Sequence, residues 1–318
     1  PHRAGMGGNH GANAPNQDGQ PGYEGHLRQD VVTIAQLLRD AGYHTYMTGK
    51  WHLGSGENNP AARGFEKSFA LLNGAASHWA DQAPIIPGSA TRYVSDGEIV
   101  EELPEEFYSS NWYTDQLINY IDAPGSNEAP FFAFLSFTAP HNPLHVPREY
   151  SARYQGRYDM GWDSLAVERL DRLRALGLVG SDPLPHPRPD WVLAWDELSL
   201  QQKADRARDM EIYAGMLDYV DDSIGRLFDH LRQSGQYENT LIVFTNDNGG
   251  PMDRNGSSNY PFSGVKATQL EGGIRVPGIV VWPRELPEGS VYPYPLSTLD
   301  LLPTFIAAGG GNPASIVG

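Results

Sequence analysis

Cysteine is absent from this 318-residue sequence, so disulfide bonds are excluded, although this does not fix the compartment. No apolar run approaches the roughly 20 residues that a membrane-spanning helix needs. Basic residues are scarce, because 23 Lys and Arg face 39 Asp and Glu, for a net charge of −16. This balance argues against nucleic acid or an anionic membrane surface as a partner. With 40% hydrophobic residues, the chain fits one large α/β domain with a sizeable core.

One predicted strand ends in two oxygen-bearing side chains. Residues 241–245 (Leu-Ile-Val-Phe-Thr) are apolar or β-branched throughout, which is typical of a strand covered on both faces. Asp247 and Asn248 follow, just before two glycines. Carboxylate and amide oxygens on one turn favour calcium or magnesium over zinc. The alternative is a surface turn that binds nothing, because Asp, Asn and Gly form such turns readily.

Two earlier segments repeat this layout. Residues 131–138 form another apolar run before His141, and residues 43–48 have strand character before Lys50 and His52. In an open α/β sheet, ligands and chemistry collect at the carboxyl ends of the strands, along one edge. We therefore expect five side chains to meet there: Lys50, His52, His141, Asp247 and Asn248.

Longer matches surround these residues. Residues 40–54 read Asp-Ala-Gly-Tyr-His-Thr-Tyr-Met-Thr-Gly-Lys-Trp-His-Leu-Gly. Further matches follow in order: Pro140-His141, Asp247-Asn248, and Gly264-Val265-Lys266 with residues 271–277, beside shorter ones at 62–66 and 161–163. Together they resemble the sulfatase family of the alkaline-phosphatase-like superfamily, and look closest to bacterial arylsulfatases. The resemblance covers essentially the whole chain.

The resemblance implies an α/β fold, an alkaline-phosphatase-like mixed sheet sandwiched by helices. It also implies hydrolysis of a small-molecule sulfate ester. In this family a formylglycine-generating enzyme converts a cysteine to formylglycine, and the hydrate of formylglycine attacks sulfur. A divalent cation, usually Ca²⁺ with Mg²⁺ as the alternative, holds the sulfate and the nucleophile. By resemblance, Asp247 and Asn248 are metal ligands.

The resemblance assigns roles to four further residues. Lys50 contacts formylglycine and sulfate, and His52 bonds formylglycine and helps to expel sulfate. His141 and Lys266 bind the sulfate and protonate or stabilise the leaving alcohol. These residue types suit the reaction, because the bridging oxygen gains negative charge as its bond to sulfur breaks. Without the resemblance, a lysine that follows a strand is usually a solvated surface residue. A histidine in a Pro-His-Asn-Pro segment usually belongs to a simple turn.

The family's Cys-x-Pro-x-Arg motif, and its serine variant, do not occur in the sequence. Residues 2–7 instead match a later His-x-Ala-Gly-x-Gly segment, so Arg3 is not expected to be the arginine of that motif. We therefore expect residues 1–318 to be a partial sulfatase catalytic domain that lacks the first strand, the nucleophile segment and the smaller C-terminal domain. On this interpretation the full-length parent is the active enzyme. Family habit favours a periplasmic or secreted location, and Asn255-Gly256-Ser257 fits a glycosylation pattern.

Two irregular stretches, residues 77–111 and 180–196, are long enough to wall a pocket. His78, Trp79 and Trp191 are candidates for holding an aromatic or sugar leaving group by apolar contact. The alternative for His78 is an exposed loop histidine. His44, His186 and His230 are assigned no catalytic role.

Helical periodicity appears in two places. Asp30 is a predicted cap for a helix whose apolar residues recur at helical spacing: Val31, Ile34, Ala35 and Leu38. Residues 204–232 predict a longer helix whose apolar stripe packs in the core: Tyr213, Leu217, Val220, Ile224, Leu227 and Leu231. Its acidic residues Asp218, Asp221 and Asp222 are expected to form a solvated face.

Two alternative functions stay open on the sequence. A phosphonate monoester or phosphodiester hydrolase of the same superfamily would share the fold, metal and nucleophile site. A non-catalytic binding protein would keep the fold alone. Joint retention of six polar residues argues against the second alternative: Lys50, His52, His141, Asp247, Asn248 and Lys266.

Overall fold

The computed structural model describes residues 2–8, 13–123, 125, 129–180, 188, 190–251, 259 and 262–316. The chain divides into two compact units. The first consists of Pro1–His145, Tyr219–Ser234 and Val291–Gly318, and the second of Val146–Asp218 and Gly235–Ser290. The single catalytic domain expected over residues 1–318 stays a prediction.

A five-stranded mixed sheet forms the centre of the first unit. Its strands are β1 (His44–Lys50), β2 (Lys67–Leu71), β3 (Tyr93–Ser95), β4 (Glu98–Val100) and β5 (Phe131–Ser136), in the order β4-β3-β2-β1-β5. Strand β1 lies between β2 and β5 and pairs in parallel with both, whereas β2–β3 and β3–β4 are antiparallel. β3 and β4 make a short hairpin within the predicted irregular stretch.

Helices cover both faces of this sheet, as predicted. Alternate residues of β2 belong to different apolar clusters, because neighbouring side chains of a strand point to opposite faces. Ala70 packs in a cluster with Ala35 of α1 (Ile34–Asp40), and Phe69 in another with Tyr113 of α2 (Ser109–Ile121). A third helix of this unit, α7, spans Leu301–Ala308.

The cap of α1 is Thr33, so the predicted Asp30 cap is wrong. The Thr33 hydroxyl accepts a hydrogen bond from the Gln36 amide at 3.1 Å, and the Gln36 side chain accepts one from the Thr33 amide at 2.8 Å. This reciprocal pair satisfies two amides that helix geometry leaves unbonded. Asp30 instead forms a bidentate salt bridge with Arg28, in which Nε donates to Oδ1 at 2.9 Å and Nη2 donates to Oδ2 at 2.6 Å.

The second unit is mainly helical. It contains α3 (Arg148–Ala152), α4 (Gly161–Ala175), the first part of α5 (Leu200–Gln233) and the short α6 (Glu271–Ile274). In its described residues, β6 (Ile242–Thr245) and β7 (Gly278–Val281) pair antiparallel in a separate sheet. No helix in the described part of the chain is long and apolar enough to cross a membrane.

The predicted helix over residues 204–232 lies within α5, but its predicted apolar stripe is only partly right. Leu231 is buried, whereas Leu217 is 44% exposed and Met216 is fully buried in its place. The buried face is shifted because Gly215 packs closely, and a Cβ on this glycine would come within 2.9 Å of the Ser151 amide nitrogen. Among the acidic residues, Asp221 and Asp222 are exposed as predicted. Asp218 is half-buried and pairs with Arg153 at 2.8 Å.

Candidate active site

Glycine at position 49 brings β1 and β5 together just before Lys50. Gly49 lies opposite Ser136 in the parallel register, and its φ of +112° is in the region that favours glycine. A Cβ at this position would lie 1.9 Å from the Ser136 carbonyl oxygen. The two strands therefore end side by side, with Lys50 next on β1 and the His141 loop following β5.

His52 sits in a strained turn directly after β1. Its φ is +53°, a left-handed conformation that residues other than glycine adopt rarely. Its ring is packed so closely on Gly74 that a Cβ there would come within 2.8 Å of Cε1. Strained backbone of this kind is concentrated at functional sites. The turn therefore fixes the direction of a predicted catalytic side chain.

His141 lies in a turn five residues after the end of β5 at Ser136. Its amide donates to the Thr138 carbonyl at 3.0 Å, and its Nδ1 lies 2.7 Å from the Asn142 carbonyl. A carbonyl only accepts, so Nδ1 carries the proton and the neutral ring has its lone pair on Nε2. Because β1 and β5 pair in parallel up to Gly49 and Ser136, which lie side by side, these two strands share the expected edge, and the meeting of the side chains stays a prediction.

His78 is completely buried, so the alternative of an exposed loop histidine is wrong. Its Nε2 lies 3.1 Å from the His141 carbonyl, and its Nδ1 lies 2.7 Å from the Ser109 hydroxyl. Burial, as the main cause, lowers the pKa of His78 to about 4, which keeps the ring neutral near pH 7. This geometry favours a positioning role over the direct substrate contact that the sequence predicts.

Trp79 belongs to an aromatic cluster that is partly exposed. Its ring lies 4.8 Å from Tyr108 and 6.3 Å from His145, centroid to centroid. The Tyr108 hydroxyl donates to the His145 carbonyl at 3.0 Å, and burial lowers the pKa of the His145 ring. Substrate contact by Trp79 stays a prediction, as it does for Trp191, which is 69% exposed in the second unit.

Sequence reasoning missed Tyr108 and His145. Tyr108 directly precedes α2, and its backbone forms an isolated antiparallel bridge with Trp79. His145 ends the segment that carries His141. The His-x-x-x-His spacing from His141 to His145 is a sequence signal. Tyr108 has no such signal, because its contact with His145 spans 37 residues and its bridge with Trp79 spans 29.

Asp247 and Asn248 follow β6, but β6 does not join the sheet of β1 and β5. The prediction that all three strands share one sheet is wrong for β6, which pairs with β7 in the second unit. The strand is also less covered than predicted, since Phe244 is 43% exposed. Its one strand partner within the described ranges, β7, is exposed over most of its length too.

Asn259 links the turn after Asn248 to the loop of Lys266. Its Oδ1 accepts from the Gly250 amide at 3.1 Å, and its Nδ2 donates to the Gly250 and Gly264 carbonyls at 2.9 and 3.1 Å. The Lys266 amide also donates to the Gly250 carbonyl, at 3.1 Å. The predicted metal pair and the predicted late lysine therefore belong to one hydrogen-bonded backbone assembly.

The oxygen atoms on the turn of Asp247 and Asn248 are of the type that binds a hard cation. Asn248 directs its Nδ2 to the Gly249 carbonyl at 2.9 Å, which leaves the amide oxygen as the atom able to bind a metal. With the Asp247 carboxylate, the turn offers two of the six to eight oxygens that Ca²⁺ takes. Across the described ranges, no cluster of three or more His, Asp or Glu side chains suits a metal. Asp247 and Asn248 therefore fit part of a calcium site.

Known proteins are similar to this chain in sequence and in fold. A protein of Klebsiella aerogenes named arylsulfatase is 35% identical over 334 residues, covering 93% of this chain and 71% of that protein. A Schizosaccharomyces pombe protein named as an uncharacterized sulfatase is 34% identical over 332 residues, covering 91% and 60%. The crystal structure of Ps i-CgsB in complex with k-i-k-neocarrahexaose matches with a TM-score of 0.66 at 28% identity, covering 90% and 55%.

This chain thus spans 60% of the fission yeast protein and 55% of the solved one. The structural match shows the predicted fold, a mixed α/β sheet with helices. The sulfatase family matches residues 1–311, which is nearly the whole sequence. The chain belongs to the sulfatase family.

Proposed function

We propose that the whole protein hydrolyses sulfate esters by arylsulfatase chemistry. One observation carries the proposal: β1 and β5 run parallel and end together, so that Lys50 and His141 follow one edge of the sheet in a member of the sulfatase family. The Klebsiella relative named arylsulfatase supports an aryl ester as substrate.

The lysines supply positive charge for an anionic substrate. With a net charge of −16, the chain as a whole repels a sulfate ester, so binding requires local cations. We assign this role to Lys50 and Lys266. An ammonium group is a compact point charge that suits the non-bridging sulfate oxygens.

His141 has the chemistry of a general acid. Its Nδ1 proton is held by the Asn142 carbonyl, so a second proton on Nε2 is the one available for transfer. Transfer of this proton to the bridging oxygen neutralises the leaving alkoxide as the sulfur–oxygen bond breaks. General acid catalysis of this kind contributes about 10²–10⁴-fold to a rate.

Two groups of the family mechanism belong to the proposal. A divalent cation held in part by Asp247 and Asn248 would polarise sulfate as a Lewis acid. Calcium is the first choice, since both donors are hard oxygens. Formylglycine, made by its generating enzyme, would be the nucleophile, and His52 would bond to it.

The experiment compares two ester classes. The whole gene product, purified with calcium, is assayed on p-nitrophenyl sulfate and on p-nitrophenyl phenylphosphonate, which have the same leaving group. Because the leaving groups match, the ratio of kcat/KM reports the group transferred. We expect kcat/KM to be larger for the sulfate. A larger value for the phosphonate would favour the phosphonate hydrolase alternative, and no turnover of either ester would favour the non-catalytic one.

A further inference from the structure

Two side chains from other segments form hydrogen bonds to backbone carbonyls of the loop that carries His141. His78 Nε2 lies 3.1 Å from the His141 carbonyl oxygen, and the Tyr108 hydroxyl lies 3.0 Å from that of His145. A carbonyl oxygen only accepts, so both side chains are donors. We name His78 and Tyr108 together the carbonyl clamp.

The tautomer of His78 follows from its partners. Because Nε2 donates to a carbonyl, Nδ1 of the neutral ring is an acceptor, and the Ser109 hydroxyl donates to it at 2.7 Å. The ring therefore uses both of its nitrogens. The side chain is also completely buried, which suits a residue that acts through its neighbours.

The clamp is mounted on a rigid base. The Ser109 amide donates to the His78 carbonyl at 2.9 Å, so these two residues are bonded through both backbone and side chain. Next to them, Trp79 and Tyr108 form an antiparallel bridge. Ser109 is also the first residue of α2, whose Tyr113 lies in the sheet's core. The donors thus hold the His141 loop against the packed body of the first unit.

Burying a histidine side chain is less favourable for stability than burying a hydrophobic side chain of similar size. An unpaired polar group is unfavourable in the interior, and a hydrophobic side chain of similar size would avoid that penalty. The retained donor points at the backbone of His141 itself. We propose that His78, assisted by Tyr108, is a positioning residue that holds His141 in place to protonate the leaving oxygen. This inference rests on the proposed sulfate ester hydrolysis.

The test uses leaving groups of different basicity. A displaced general acid costs most when the departing phenoxide is basic and least when it is stable without a proton. Aryl sulfates with leaving phenols of rising pKa are assayed with the whole gene product as wild type and four variants. The variants are His78→Leu, His78→Gln, Tyr108→Phe and Thr45→Val.

We expect His78→Leu to lower kcat/KM by about 10–100-fold on the most basic leaving group and by only a few-fold on the least basic. His78→Gln keeps an amide donor of similar reach and should restore most of the loss. Tyr108→Phe deletes one hydroxyl and should show the same leaving-group trend in weaker form.

Thr45→Val is the matched control. It also removes hydrogen bonds of a buried side chain in the first unit: the Thr45 hydroxyl donates to the Gly64 carbonyl at 2.7 Å and accepts from the Glu66 amide at 3.1 Å, and neither partner belongs to the His141 loop. It should leave the leaving-group dependence as in wild type. The protein's fold is checked by circular dichroism, and if His78→Leu does not fold, Tyr108→Phe and His78→Gln decide the question.

Three outcomes would overturn the proposal. A His78→Leu or Tyr108→Phe loss that is equal for all leaving groups would mean that the residue only stabilises the fold. Unchanged kinetics in both would mean that the clamp is irrelevant to His141. If wild type cleaves no aryl sulfate at all, the proposed function itself fails, and this result is separate from a failure seen in variants only.

Discussion

Asn259 and Gly250 bond to each other twice, through both ends of one side-chain amide. Oδ1 accepts from the Gly250 amide at 3.1 Å, and Nδ2 donates to the Gly250 carbonyl at 2.9 Å. The same Nδ2 donates to the Gly264 carbonyl at 3.1 Å, two residues before Lys266. One side chain thus sets the spacing between the turn after Asp247 and the lysine loop.

Replacing Asn259 with alanine should weaken calcium binding. The variant loses all three side-chain bonds, and groups that support metal ligands typically contribute 10–100-fold to affinity. We expect about a 10-fold increase in the calcium dissociation constant of Asn259→Ala, measured by isothermal titration of the whole gene product. Asn73→Ala is the control, because Asn73 also bridges backbone groups, of Ala90 and Arg92, but in the first unit. Equal calcium affinity in Asn259→Ala and wild type would contradict the assigned role.

Gly49→Ala should destabilise the protein severely. The new Cβ would meet the Ser136 carbonyl at 1.9 Å and would also force a φ of +112° on an L-residue. We expect a loss of roughly 3 kcal/mol or more in the free energy of unfolding, measured in urea. Gly42→Ala separates the two causes, because Gly42 has a φ of +89° but no atom within 4 Å of the added Cβ. It should lose only about 1–2 kcal/mol. Similar losses in both variants would argue against the close approach of β1 and β5.

Burial of neutral His78 predicts a pH dependence of stability. Its pKa is lowered to about 4 in the folded protein from an ordinary 6.5, so between these values the unfolded chain binds the extra proton and the folded one does not. Stability therefore falls as pH drops from about 6.5 towards 4, by on the order of 1–3 kcal/mol from this residue. Urea unfolding at pH 7 and pH 4.5 should show a smaller drop for His78→Gln than for wild type. An equal drop in both would show that His78 is not responsible.

Replacing Asp247 with alanine should lower activity by weakening metal binding. Asp247→Ala deletes the one carboxylate of the predicted metal pair, and calcium prefers charged oxygens. We expect kcat/KM on an aryl sulfate to fall by at least about 10²-fold, and excess calcium to restore part of it. Asp221→Ala is the control, since this aspartate is exposed on α5. A full rate in Asp247→Ala after treatment with a chelator would contradict a role in metal binding.

The pattern of apolar residues in the sequence was enough to predict the strands that precede Lys50 and His141. The apolar runs before Lys50 and His141 are strands, and their parallel pairing matches the expected edge. The burial of His78 could not be predicted, because its partners Ser109 and His141 are 31 and 63 residues away in sequence. An irregular stretch gives no periodicity from which such contacts can be read.

The helix cap and the sheet of β6 also differ from the predictions, each for its own reason. Asp30 is a good capping residue, but it pairs with Arg28, and Thr33 lies closer to the helix start with a glutamine three residues later. For β6, an apolar run predicts a strand but not its partner, and pairing with β7 depends on residues 278–281 far along the chain. The predicted glycosylation site at Asn255 and the residue His186 lie outside the described residues.

We propose that Lys50, at the end of β1, and His141, in the loop after β5, act on one sulfate ester. A double-mutant cycle tests it directly, using kcat/KM on an aryl sulfate for wild type, Lys50→Met, His141→Gln and the double variant. We expect each single change to lower kcat/KM by about 10²–10³-fold, and the double variant to lose clearly less than the product of the two. Losses that multiply fully would mean that the two residues act independently, which contradicts their joint action on the sulfate ester.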